Sequence, residues 1–338
     1  MKILLSFSAH LWREGAFRIG CFYEGFISSL AEEGNQLLIL NGAEFLHQSL
    51  ESNMSGLPKY IDKNLLVRDI KAFAPELVIA FNHCIPREVE EACECPIVLW
   101  DSDSIPFWHD RDYVKANLSR YTFFGFSYES IDNARNFGVS EKQNHMVRPG
   151  TSVKAETLPL RQNISFIGSN FHSDDNFLRN LREGSIPELR RIADSYVGNF
   201  YKAASTILAN QVSLEDLTMS SLSSIQNRVT ALNSVQDLGL TIWGVNWIEV
   251  GRYLPWLAMC YNKDTVYSVK HNQDIYNSSK LCISISHAQA TQGFPWRVMD
   301  IMASNGALVS DYRSGIAEVT KGYVDIPMYD SPYDARDL

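Results

Sequence analysis

The chain has 338 residues, 45% hydrophobic and 20% charged, with a formal net charge of -9. That length exceeds one ordinary core and suits two α/β domains of about 150 residues each. The acidic balance argues against nucleic acid or an anionic membrane as a bulk partner. No apolar run approaches the ~18 residues that span a bilayer. Met1 to Ser8 reads as a short buried strand rather than a signal peptide, so a cytoplasmic protein without a transmembrane segment is expected. The six cysteines (21, 84, 93, 95, 260 and 282) are irregularly spaced and lack a double C-x-x-C pattern. They read as reduced thiols, with neither a metal nor a cofactor expected.

In chain order, Lys2–Phe7 reads as a strand. Ile19, Phe22, Tyr23, Phe26, Ile27 and Leu30 fall on one face and predict a helix over Arg18–Glu33. Gln36–Leu40 is a strand stopped by Asn41-Gly42, and Leu65–Phe73 a helix. Continuous apolar runs at Leu77–Phe81 and Ile97–Trp100, then Phe123–Phe126 and His145–Val147, complete the strands of the first half. Such strands alternating with helices imply a parallel sheet covered on both faces. The alternation pauses after Arg148-Pro149-Gly150, which sets a linker between a domain over 1–150 and a second over 151–338. The second half gives strands at Ile164–Ile167, Leu240–Trp243, Leu281–Ile285 and Ala307–Ser310. A helical insertion over about 187–232 carries an apolar stripe from Leu189 to Leu208 and a further helix starting at Ser213, with Asp216 in capping-box position.

Ligands of open parallel sheets bind beyond the carboxyl ends of the strands. His287 follows Leu281–Ser286 and opens a loop through Gln292, Gly293 and Phe294 to a helix expected over Arg297–Ser304. Gly293 lets backbone N–H groups approach a ligand before that helix. Arg297 in the first turn opposes the helix dipole, at a cost of about a few tenths of a kcal/mol, unless a bound phosphate reverses the sign. Helical spacing puts Arg297, Asp300 and Ser304 on one face, with Val298, Ile301 and Met302 toward the core. Asp300 could accept hydrogen bonds from ribose hydroxyls, or compensate charge at the helix start.

The segment from Gln292 to Tyr312, QGFPWRVMDIMASNGALVSDY, resembles the CgeB-like branch of the GT-B glycosyltransferases. There a glycine loop leads to an Arg-x-x-(Glu/Asp) helix and an apolar strand ending in Ser/Thr-Asp. Ile164–Ser169, Ile242–Trp247, Ile275–Leu281 and Ile97–Asp103 are similar to further segments of that branch, in the same order. The resemblance implies an α/β protein of the GT-B class, two Rossmann-like domains facing a cleft, with the helical insertion in the second. It implies a nucleotide-sugar donor held by the C-terminal domain. Gly168, Ser169 and Asn170 would lie near the diphosphate, Gly293 and Arg297 would contact phosphates, and Asp300 would hold the ribose. Gly244, Tyr276, His287, Gln292 and Phe294 complete the expected donor site. Such enzymes usually need no metal, because N–H groups and cations neutralise the leaving diphosphate. It also implies a further helix after Leu338.

Where many retaining GT-B enzymes carry Glu-x7-Glu, this chain has Gln292-x7-Asp300. The acceptor, a glycan, protein or small molecule, is expected on the N-terminal domain. His83 and Asp103 are the candidate catalytic bases, with His10, Glu14 and Asp101 beside them on the acceptor side, each just after a strand. Two other functions stay open: a non-catalytic sugar-nucleotide or glycan-binding module, and a nucleotide-sugar epimerase or hydrolase on the same fold.

Overall fold

The computed structural model describes residues 1–7, 11–13, 16–18, 20–41, 63–102, 108, 110–170, 214–245, 247–252, 254–264, 266, 268–288 and 290–338. It divides into two compact units, Met1–Pro149 and Gly150–Leu338. The apolar stripe from Leu189 to Leu208 and the capping residue Ser213 lie outside the described residues.

The first unit contains β1 (Lys2–Phe7), β2 (Leu11–Arg13), β3 (Ala16–Arg18), α1 (Cys21–Glu32), β4 (Gln36–Asn41), α2 (Lys63–Phe73), β5 (Leu77–Phe81), α3 (Arg87–Ala92), β6 (Ile97–Asp101), α4 (Arg111–Ala116), β7 (Tyr121–Gly125), α5 (Tyr128–Phe137) and β8 (Asn144–Met146). Its main sheet runs β4-β1-β5-β6-β7-β8, and every pair in it is parallel. Strands buried on both faces need apolar side chains at every position, and Ile3, Leu4, Leu5, Val78, Ala80, Ile97 and Leu99 supply them. β2 and β3 form a separate antiparallel hairpin that hydrophobic periodicity does not reveal. The end of α5 is legible: Ser127 accepts from the Ser130 N–H at the start, and Gly138 takes the left-handed conformation at the finish.

The second unit contains β9 (Gln162–Ile167), α6 (Leu214–Ser234), β10 (Leu240–Trp243), α7 (Pro255–Met259), α8 (Val269–Asn277), β11 (Ser279–Ser284), α9 (Arg297–Met302), β12 (Ala307–Asp311), α10 (Ser314–Thr320) and β13 (Met328–Tyr329). Its sheet runs β10-β9-β11-β12-β13, again all parallel. The two-residue β13 is too short to leave a sequence pattern. α9 ends at Met302 rather than Ser304, because Ser304 turns its hydroxyl back onto the Ile301 carbonyl and the chain reverses into β12. No described helix is long and apolar enough to cross a membrane.

Each sheet begins in its interior. From β1 the chain steps outward to β4, then crosses to β5. From β9 it steps to β10, then crosses to β11. The carboxyl ends of β9 and β11 therefore flank a topological switch point, where neighbouring loops diverge and leave a crevice. One edge of that crevice depends on a glycine. Gly244, after β10, has φ +132, and a Cβ there would stand 2.3 Å from the Gly168 carbonyl oxygen. The same oxygen accepts the Trp247 indole N–H at 2.7 Å. We predict that Gly244→Ala lowers folding stability by about 2 kcal/mol or more. A denaturant midpoint unchanged from that of the parent protein would contradict this.

Candidate functional site

In the second unit the residues that follow the strands converge at the switch point. Arg228, from α6, is the element that ties them. Its Nη1 donates to the Ser169 carbonyl after β9, and its Nη2 donates to the Ile285 carbonyl after β11 at 2.6 Å. The guanidinium also lies 5.1 Å from the Phe166 ring centre. Arg297, in the first turn of α9, approaches the same ring at 5.4 Å, and its guanidinium nitrogens border the space where a Gly168 side chain would be. Phe166 is fully buried, so its ring is a fixed platform against which the two cations pack. Arg228 is buried as well, whereas Arg297 keeps part of its surface open.

A third guanidinium, Arg313, lies just after β12. Its Nη2 pairs with Asp311 Oδ2 at 2.7 Å, both side chains buried. The other carboxylate oxygen of Asp311 accepts from the N–H of Ser286 at 3.0 Å and from its hydroxyl at 3.1 Å. Asp311 thereby fixes the end of β11 to the end of β12.

The titratable groups report burial first and the neighbouring charges second. Burial holds the Arg228 guanidinium well below its ordinary value, and the neighbouring Arg297 is the next cause. His287 is lowered from 6.5 to about 4, first by burial and then by Arg228 and Arg313. Burial also raises Asp300, which accepts a hydrogen bond from the Thr151 hydroxyl; that bond and Arg297 oppose the rise. A crevice that disfavours a further positive charge is arranged to receive an anion.

The expected donor residues divide into two groups. Gly168, Ser169, Gly244, His287, Arg297 and Asp300 gather around the ends of β9, β10 and β11 or at the start of α9, and Asn170 is buried there with its N–H toward the Val245 carbonyl at 3.4 Å. Tyr276 and Phe294 are 2% and 1% exposed and belong to one core cluster with Val298, Ile301 and Leu308. Both side chains are packed in that core and expose almost no surface. Gln292 is exposed, and it is its carbonyl that is anchored, by the Gly315 N–H at 3.0 Å. Gly315 is required there, since a Cβ would come 2.3 Å from that oxygen. Gly293 is buried within this anchored turn. α9 is only six residues long, so the weight of the anion argument falls on the guanidiniums rather than on a helix dipole.

In the first unit two of the expected residues are held in internal bonds. His83, with φ +53, is fully buried. Its Nε2 lies 2.9 Å from Glu90 Oε1, and Tyr121 donates its hydroxyl to Glu90 Oε2 at 3.0 Å. A base must reach an acceptor hydroxyl; this imidazole instead locks α3 against β5 and β7. Asp101 is also buried and accepts the Trp108 indole N–H at 2.9 Å. It anchors the Trp108 ring. His10, Glu14 and Asp103 lie outside the described residues. Cys93 is pushed up to about 12, chiefly by burial and then by Cys95, so it stays a protonated thiol. Among the described residues no group of three His, Cys, Asp or Glu gathers to hold a metal ion.

Comparison with known proteins adds to this geometry. Residues 226–338 match the family model described as "Glycosyl transferase-like". No curated protein matches the chain. Among solved structures, AviGT4, a glycosyltransferase involved in avilamycin A biosynthesis, is similar over 99% of this chain and 87% of its own, at 11% identity and a TM-score of 0.50. The fold is GT-B. The lipopolysaccharide outer core galactosyltransferase WaaB, in its apo form, also aligns over 100% of this chain and 88% of its own, at 11% identity and a TM-score of 0.48. Within this GT-B fold, Arg228 falls inside the matched stretch, at its start.

His287 makes the stability of the ligand-free protein pH-dependent. The unfolded chain binds a proton near the ordinary value of 6.5, the folded one only near 4, so its contribution is full above 6.5 and is lost as pH falls toward 4. We expect the thermal midpoint to drop over that interval, and to drop less in His287→Gln. Parallel pH profiles of the two proteins would contradict the assignment.

Proposed function

We propose that this protein is a glycosyltransferase of the CgeB-like type whose C-terminal unit holds a nucleoside-diphosphate sugar. The observation that carries this reading is the Arg228–Arg297–Arg313 cluster at the carboxyl ends of β9, β11 and β12. Its positive field suits a diphosphate, whose charge grows as the glycosidic bond to the sugar breaks. Arg297 is the contacting cation, because it alone of the three keeps open surface. Arg228 and Arg313 act from behind through their charge and by fixing the carbonyls and loops around the crevice. Asp300 takes the ribose hydroxyls, exchanging its hydrogen bond from Thr151 for bonds from the ligand. Backbone N–H groups and guanidiniums neutralise the leaving group without a metal.

The acceptor, a glycan, protein or small molecule, falls to the N-terminal unit. With His83 and Asp101 committed to internal bonds, the catalytic base is sought among His10, Glu14 and Asp103. The carboxylate missing at Gln292 leaves the stereochemical course open to an inverting displacement.

A thermal-shift panel of UDP, GDP, ADP, CMP and dTDP tests the donor site. One of them is expected to raise the midpoint by several degrees; no shift with any would overturn the reading. Arg297→Ala should weaken the best nucleotide at least tenfold, measured by titration calorimetry, and unchanged affinity would remove its phosphate role. Sugar transfer to an acceptor, against release of free sugar in water, separates a transferase from a hydrolase.

A further inference from the structure

His287 sits inside the guanidinium cluster with little freedom to leave it. On one side Ser286 is held by Asp311 through its N–H and hydroxyl at 3.0 and 3.1 Å. On the other, the Ala288 N–H donates to Ser224 Oγ at 2.8 Å, and the Ala290 N–H donates to the His287 carbonyl at 3.1 Å. Two residues upstream, the Ile285 carbonyl is held by Arg228. Among the described residues, Arg228 from α6 and Arg313 after β12 act on the imidazole directly. Asp311 pairs with Arg313, and Arg297 from α9, Asp311 and the buried Tyr329 from β13 act in turn on Arg228. With its backbone fixed on both sides, the imidazole lies within the field of Arg228 and Arg313. Its own protonation must respond when a ligand changes that field.

We infer that His287 is the proton-linked partner of the donor's diphosphate: neutral in the empty site, it takes up a proton when a nucleoside diphosphate binds and becomes a further cation against the leaving group. The inference rests on the nucleoside-diphosphate reading of the site. In the free protein, burial and the two guanidiniums hold the imidazole at about 4. A bound diphosphate brings negative charge into the same crevice. It offsets the repulsion from Arg228 and Arg313 and adds an attraction of its own, which raises the imidazole toward neutrality. The proton comes from solvent and goes to an imidazole nitrogen, and no other bond is made or broken. As the diphosphate leaves the sugar it gains charge, and an imidazolium then stabilises it more than a neutral ring would. When the product departs, the restored repulsion expels the proton.

The sign of the linkage is fixed. Below the imidazole value of the complex and above about 4, affinity rises as pH falls, by up to tenfold per pH unit. Protonation of the nucleotide's terminal phosphate, near pH 6, weakens binding and so acts in the opposite direction. Titration calorimetry of the best-shifting nucleotide among UDP, GDP, ADP and dTDP, at pH 6.5 in two buffers of different ionisation enthalpy, gives the protons exchanged. The parent protein is expected to take up about half a proton or more in excess of His287→Gln. Equal proton uptake by both would overturn the inference while leaving nucleotide binding intact. Absence of binding by any of the four would remove the underlying reading and this one with it. If His287→Gln fails to fold, the parent protein alone decides: at pH 6.5 its proton uptake on binding, corrected for the free nucleotide's own phosphate titration, must reach about half a proton, and no uptake overturns the proposal.

Discussion

The buried guanidinium of Arg228 is the constraint on which the second unit's site depends. It joins the Ser169 carbonyl, beyond β9, to the Ile285 carbonyl, beyond β11. These are the two strands between which the chain reverses its direction of growth across the sheet. At such a point the adjacent loops diverge and the backbone loses its ladder partners. A side chain with five donors in a planar fork can satisfy acceptors on both loops at once, which a lysine could not do in fixed geometry. The cost is a charge taken out of water, several kcal/mol per ion even after relaxation. Carbonyl dipoles and the Phe166 ring offset part of it. An anion in the crevice would offset more, so the arrangement couples local stability to occupancy.

Most of the fold could be read from hydrophobic pattern because its strands are covered on both faces. Leu77–Phe81 and Ile97–Trp100 are uninterrupted apolar runs, and they are central strands. Short elements leave no pattern. The β2–β3 hairpin, β13 and α3 are short, and α3 is held by contacts distant in sequence, from His83, Tyr121 and Arg120. Such contacts have no periodicity to betray them. The same limit explains His83 and Asp101. The rule that ligand-facing residues follow strands singled them out, but Glu90 and Trp108 turned them inward.

At the donor side, Arg297 and Asp300 were legible because a spacing of three puts both on one helix face. Arg228 has a sequence signal of a different kind. Ile225, Ala231 and Leu232 are buried along one stripe of α6, and Arg228 falls on the same stripe. A cation within an apolar helical stripe is costly unless something meets it. That makes it a stronger pointer to a site than a cation on a solvated face.

The Gln292 position gains a physical meaning from this cluster. Its loop is fixed through the backbone, by the Gly315 N–H on the Gln292 carbonyl, and not through its side chain. A carboxylate is therefore not needed to hold the loop in place. The positive field of the crevice is already moderated by Asp311, which pairs with Arg313, and by Asp300, which lies near Arg297. A further carboxylate at this loop would lower the potential again, whereas an exposed amide leaves it unchanged. If the crevice takes a diphosphate as proposed, an amide at position 292 favours its capture and the proposed proton linkage of His287 together, since both depend on the same excess of positive charge.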